Sequence, residues 1–236
     1  GCDAVYLGGN HFGARAYSKN FSDEELISAI KYAHRYGVKV YLTCNTLIYD
    51  EEVEEFLKFV RFAHQNGIDA VLIQDLGMYD LVHQKFPDLE IHASTQMHIH
   101  NLEGALVAKR LGFKRIVLAR ETDADTIKEI KEKTGLDVEV FVHGSLCVSY
   151  SGQCLFSSLV GGRSGNRGAC AGSCRLPYDI VDKNNEVLNK SKKYPLSMKD
   201  LCAIASIGKL MDIGVNSFKI EGRMKSKEYV YLVTKL

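Results

Sequence analysis

Along the first 143 residues, apolar and polar positions repeat one unit: a short β-branched run, then a longer stretch with helical spacing. The apolar runs are 3–7, 38–43 (V-K-V-Y-L-T), 69–74 (D-A-V-L-I-Q), 90–95, 115–119 and 137–142, with a further one at 217–221. Each reads as a strand buried on both faces, as a strand inside a parallel sheet is. Between them the spacing predicts helices. Ser22 caps one that runs to Tyr36, with Glu25 at the capping-box position, and Asp50 caps 51–66. Others are expected over 76–86, 101–111, 123–134, 197–211 and 226–236. Glycines at 37, 67, 112, 135 and 214 stop these helices.

Strands alternating with amphipathic helices predict an α/β fold with a parallel sheet and outer helices. Gly1-Cys2-Asp3-Ala4-Val5 parallels Gly67-Ile68-Asp69-Ala70-Val71, where the glycine ends a helix. Gly1 therefore reads as the cap of a helix that would precede it. Adding one upstream unit to the seven strands gives eight, the number that closes a (β/α)8 barrel of the TIM type. The expectation is a TIM-barrel-like fold whose first βα unit is missing, with a Cys-rich insertion after the sixth observed strand. Its parts are repeats over 1–143, a basic insertion with a small hairpin (178–182 and 186–188) over 144–196, and a final βα unit over 197–236. An open doubly wound sheet is the alternative.

The 236 residues are 46% hydrophobic and 25% charged, ordinary for a globular chain, with a net charge of +1. No apolar run approaches the roughly 18 residues of a membrane span, so no membrane partner is expected. No leader is visible, since the first residues already alternate like a strand. Seven cysteines without a mark of export fit a reduced, cytoplasmic setting better than a disulfide framework. The charge is unevenly spread. Residues 163–199 hold Arg163, Arg167, Arg175, Lys183, Lys190, Lys192, Lys193 and Lys199 against Asp179, Asp182 and Glu186. A phosphate-bearing partner is one reading of that stretch, and a solvated loop is the other.

In barrels of this kind, sites form at the carboxyl ends of the strands. Polar residues gather there: Asn10, Asn45, Gln74, Asp75, Thr95, Gln96, Arg120, Glu121, His143, Glu221 and Arg223. Asp75 and Asn101 are placed to cap helices, so part of this set is structural. His143, Glu221 and Arg223 are the candidate catalytic residues. Asn45, Gln96, Arg120, Arg163 and Arg167 are the candidate substrate-binding residues. His92, His98 and His100 form an H-x5-H-x-H run that strand alternation explains without a metal.

The strongest chemical signal is Cys147, Cys154, Cys170 and Cys174, spaced C-x6-C, x15, C-x3-C in a glycine-rich loop. Four soft thiolates suit either zinc or an iron–sulfur cluster. The loose first spacing leans toward a cluster, with structural Zn as the alternative. Cys2, Cys44 and Cys202 read as small buried apolar residues, although Cys202 could replace one of the four. A peptidase would instead use His143, Ser145 or Cys147 as its catalytic groups.

These residues also carry a resemblance. E-V-F-V-H-G-S-L-C-V-S-Y-S-G-Q-C-L-F-S, G-N-R-G-A-C-A-G-S-C-R-L-P-Y, S-M-K-D-L-C and S-F-K-I-E-G-R-M-K-S resemble the blocks of peptidase family U32, the collagenase-like proteases. Phe156 departs from the signature, which prefers an aliphatic residue there. The resemblance implies relatives that hydroxylate tRNA uridine or rRNA cytidine, some with prephenate as a small anionic oxygen donor. It also implies a 4Fe-4S cluster on Cys147, Cys154, Cys170 and Cys174. The block ending at Tyr178 places the chain nearer the RNA branch than the ubiquinone-hydroxylating one. Three activities are therefore expected in turn: iron–sulfur RNA hydroxylation, peptide hydrolysis, or tetrathiolate RNA binding without catalysis. On the first, Arg120 or Arg223 holds the donor at the barrel mouth and residues 163–199 contact RNA.

Overall fold

A computed structural model describes residues 1–235. Among them one eight-stranded sheet runs β1 (Ala4–Leu7), β2 (Lys39–Cys44), β3 (Ala70–Ile73), β4 (Glu90–Ala93), β5 (Arg115–Val117), β6 (Asp137–Gly144) and β7 (Leu201–Cys202) in order, with β8 (Ser217–Glu221) beside β6. Neighbours pair in parallel from β1 to β6, and β8 pairs parallel with β6. Only β7 runs antiparallel, against His143 and Gly144. Helices connect the strands: α1 (Asp23–Arg35), α2 (Val53–Gln65), α3 (Leu76–Lys85), α4 (Leu102–Leu111), α5 (Ala124–Thr134), α6 (Phe156–Gly161), α7 (Ile207–Ile213) and α8 (Lys227–Lys235).

Local chemistry sets these boundaries. The Ser22 side chain accepts from the Glu25 amide while Glu25 reaches back to the Ser22 amide, the expected capping box. Asp75, Asn101 and Asp123 cap α3, α4 and α5 through their side chains. Strand residues alternate. Val40, Leu42, Val71, Ile73, Ile91, Ile116, Val138 and Val140 pack outward with Leu26, Ile30, Phe56, Val60 and Ile130 in one large core between sheet and helices. The opposite face carries Tyr41, Ala70, Leu72 and Val117, with Tyr6 and Phe141 packed on them.

The sheet curls until its first and last parallel strands approach. The Tyr6 hydroxyl donates to the Ile220 carbonyl across the gap at 3.2 Å. Among the described residues no ladder joins β1 to β8, and a cleft of about 310 Å³ lies between them. The sheet is therefore a curled, open one rather than a closed ring.

Three expectations change. Helix 197–211 is replaced by β7, a turn of 3-10 helix and the shorter α7. The Ser197 hydroxyl accepts from Arg175, as does the Met198 carbonyl, so no cap is free to start a helix there. Asp50 opens a 3-10 turn rather than capping α2 directly. The expected hairpin reduces to an antiparallel bridge between Val181 and Val187.

Candidate functional site

The inward positions of the strands, two residues apart, rise to a mouth at their carboxyl ends. There Thr43, Asn45, Ser94, Gln96, Arg120, Glu221 and Arg223 line a cavity of about 40 Å³ together with Arg15, Lys219 and Tyr6. One carboxylate faces three guanidinium groups. Glu221 lies 3.0 Å from Arg120 and 3.7 Å from Arg15. Arg223 donates to Thr43 Oγ1 at 3.2 Å and Asn20 Oδ1 at 2.9 Å, and among the described residues it has no carboxylate partner. Burial first, and then the charge of Arg15, lowers the Arg223 pKa. Arg120 lies over the Phe141 ring at 4.0 Å, and its buried Nε has no acceptor. The mouth thus carries positive charge in excess. Asn45 braces its wall: Nδ2 donates to Ser94 Oγ at 3.0 Å, and Oδ1 accepts from the Ala14 amide at 3.1 Å.

The cysteine segment is interlocked with the loops of that mouth. The Ala16 amide donates to the Gly168 carbonyl at 3.0 Å, and the Leu47 amide and Gln74 Nε2 donate to the Asn166 carbonyl at 3.2 and 3.0 Å. At Gly168 (φ +78°) a Cβ would stand 2.3 Å from the Gly13 carbonyl oxygen, and at Gly152 (φ +74°) one would stand 2.2 Å from that of Gln96. Both places demand glycine through conformation and through contact. Ser151 donates from its amide and hydroxyl to Glu121, both at 2.9 Å, and its hydroxyl accepts from the Arg120 amide at 3.1 Å. The segment is a lid fastened to loops from five strands.

Within the lid, burial raises the Cys174 pKa, Arg175 opposes it, and nearby Cys147, Cys170 and Cys154 raise it further. Cys174 thus has the other three thiols in its neighbourhood. Cys154 and Cys174 are half-buried, while Cys147 and Cys170 are exposed. Among the described residues no three His, Cys, Asp or Glu groups converge closely enough to hold a metal ion.

Several predicted residues lie elsewhere. A β-bulge between Phe141 and His143 turns His143 outward, opposite Ile220, where its Nδ1 is 2.7 Å from the Tyr229 hydroxyl of α8. His143 is absent from the mouth, and among the described residues it makes no hydrogen bond to Ser145 or Cys147. The Cys–His or Ser–His pair of a peptidase is thus not assembled. Arg163 and Arg167 fasten the lid instead of lining the mouth. Arg163 lies over Tyr17 at 4.3 Å and donates to the Ala169 carbonyl, while Arg167 pairs with Glu52 at 2.6 Å over the Tyr49 ring. Of the basic stretch, Lys183, Lys190, Lys192, Lys193 and Lys199 are exposed and form no ion pair among the described residues. His92 is buried below the mouth against Glu90 at 2.7 Å, whereas His98 and His100 stand at the rim. Cys44 is buried as expected, with its pKa raised by that burial, but Cys2 is half-buried and Cys202 exposed.

Sequence reasoning overlooked Arg15 and Lys219. Strand period would have found Lys219, since it alternates inward with Glu221. Arg15 sits eight residues beyond β1 in an irregular loop, where no period points a side chain anywhere.

Known proteins resemble this chain over its whole length. The profile of peptidase family U32 matches residues 1–236. The 23S rRNA 5-hydroxycytidine C2501 synthase of Escherichia coli is 45% identical over 234 residues, 99% of this chain and 35% of that protein. The tRNA hydroxylation protein P1 of Bacillus subtilis is 37% identical, covering 99% of this chain and 56% of that protein. The collagenase of Porphyromonas gingivalis is also 37% identical, covering 99% and 59%. The chain thus spans between about a third and three-fifths of these curated relatives. A solved U32 peptidase superposes with a TM-score of 0.58 at 14% identity, over 92% of this chain and 83% of that one, a likeness of fold. Among the described residues no helix is long and apolar enough to cross a membrane.

Proposed function

The chain belongs to peptidase family U32, and from that premise we propose that it forms the reaction centre of an iron–sulfur-dependent RNA hydroxylase acting on a tRNA uridine or rRNA cytidine. The observation that carries this reading is a lid bearing four free cysteines, fastened by hydrogen bonds over a cationic mouth. The likeness to rRNA- and tRNA-hydroxylating proteins supplies the substrate class.

The donor set fits a 4Fe-4S cluster. Cys147, Cys154, Cys170 and Cys174 are soft ligands on flexible, glycine-rich backbone. When bound, the cluster supplies one-electron transfer. The remaining work falls to the chain. Arg15, Arg120 and Arg223 would hold a small anionic oxygen donor such as prephenate, whose carboxylate takes the place of Glu221 on Arg120 and Arg15. The exposed lysines of 183–199 would hold RNA phosphates. Closure of the barrel belongs to the same reading: one more parallel strand would fill the cleft between β1 and β8 and leave no open edge there. Slow amide exchange along both edges in the intact polypeptide is the expected sign, and rapid exchange would contradict it.

The function is tested by deleting the gene in its host and measuring hydroxylated pyrimidine nucleosides in total RNA by mass spectrometry. One hydroxylated nucleoside should vanish and return with the wild-type gene, but not with Cys154→Ser. An unchanged nucleoside profile would overturn the proposal.

A further inference from the structure

Beside the cysteine lid three aromatic rings meet, His98 and His100 stacked and Tyr150 tilted against His98. His98 and His100 lie with centroids 4.4 Å apart at 20°, and Tyr150 follows at 5.5 Å and 35° from His98. The rings come from two segments, the turn after β4 and the loop between Cys147 and Cys154. The stack is fixed rather than incidental. His98 adopts the left-handed backbone (φ 57°, ψ 40°), which costs a non-glycine residue on the order of 1 kcal/mol. Its carbonyl accepts from His100 Nδ1 at 2.9 Å, pinning that ring. Its Nε2 lies 3.0 Å from Glu121 Oε1, close enough for an ion pair but misaligned for a hydrogen bond. Glu121 in turn holds Ser151, the residue after Tyr150. The outer members remain open: Tyr150 is 65% exposed and His100 is exposed as well.

Packing alone gives no reason for this arrangement. A tyrosine that stabilised the fold by stacking would bury its apolar ring, whereas Tyr150 leaves most of its ring to solvent. An exposed, sequence-tolerant aromatic surface is what an unpaired nucleobase stacks on, and the exposed lysines between 183 and 199, later in the chain than the lid, would supply phosphate contacts along the same strand. We infer that the His100–His98–Tyr150 stack is a seat for one unpaired base of the RNA substrate, held at the edge of the mouth beside the Cys147–Cys154 loop. The inference rests on the RNA reading above and adds to it the place and mode of base recognition.

The chain has no tryptophan, so Tyr150→Trp introduces a single tryptophan, selectively excited above the tyrosine band, that keeps the aromatic surface. A pyrimidine-loop RNA hairpin should quench its emission, whereas a fully paired duplex of equal length should not. Tyr150→Ala and His100→Ala should each weaken hairpin binding by about tenfold with the salt dependence unchanged. Lys190→Ala with Lys192→Ala should weaken hairpin and duplex alike and make the salt dependence shallower. Unchanged hairpin preference in both alanine variants, with no quenching in Tyr150→Trp, would overturn the seat while leaving RNA binding intact. Failure of the wild-type chain to bind either RNA would overturn the RNA reading and the seat together. Quenching by a collagen peptide but not by RNA would overturn it in favour of a protein ligand.

Discussion

Two levels of the curled sheet's inner face, one a single side-chain layer above the other, treat charge in opposite ways. In the lower level each charge has a partner. Lys219 meets Glu139 at 2.7 Å, Arg115 lies 3.4 Å from Glu139 and 3.5 Å from Asp137, and His92 leans on Glu90. In the upper level Glu221 serves Arg120 and Arg15 alone, and Arg223 has no carboxylate partner among the described residues. The same strands build both levels, so the difference lies in side-chain choice and not in backbone. A paired buried network serves the fold, whereas an unpaired excess of cations stores an electrostatic cost that an anionic ligand relieves.

The largest test breaks the lower level. Lys219→Met leaves the Glu139 carboxylate, which is 4% exposed, with only the longer contact to Arg115, and should cost about 3 kcal/mol in denaturant unfolding. Replacing both partners, Glu139→Leu with Lys219→Met, should recover most of that loss. A single variant as stable as wild type would show that the pair is not holding this level together.

Acid gives the next effect. Burial alone would raise the Glu139 pKa, but Lys219, His92 and Arg115 outweigh it and hold it at about 2 against an ordinary 4.5. The folded value is depressed, so this stabilisation is complete above about pH 4.5 and is lost as pH falls toward 2. It amounts to about 3 kcal/mol. Stability measured across that window should fall more steeply in wild type than in the double variant. Parallel curves would contradict the assignment.

The upper level should respond in the other sense. Arg223→Met removes a cation that has no carboxylate partner and should leave stability within about 1 kcal/mol of wild type. The same change should weaken binding of a small dicarboxylate by about tenfold, read by calorimetry. A large loss of stability would place Arg223 among the structural charges instead. Smallest of all, added dicarboxylate at ten times its Kd should stabilise wild type by about 1.4 kcal/mol and Arg223→Met by less. Equal stabilisation of both would remove Arg223 from the site.

Much of this contrast was legible beforehand. Strand period placed Asn45, Gln96 and Glu221 at the mouth, because alternation and parallel order are local consequences of sequence. It failed at His143, where one bulge reverses the face of the residues that follow it. It failed again at Leu201–Cys202, where Arg175 occupies the cap a helix would use. The basic character of 163–199 was visible, but Arg163 and Arg167 are consumed in fastening the lid, a role set by Tyr17, Glu52 and Tyr49 far away in the chain. The neighbourhood of the four thiols was suggested by spacing alone, whereas the loops that hold the lid down depend on contacts that no spacing reveals.

The most direct test of a cluster-bearing lid over a cationic mouth is iron, acid-labile sulfide and zinc analysis of chain purified without oxygen, beside Cys154→Ser. The account predicts a brown protein with about four iron and four sulfide per chain, both sharply reduced in the variant. A colourless protein with one zinc per chain and no sulfide would contradict it.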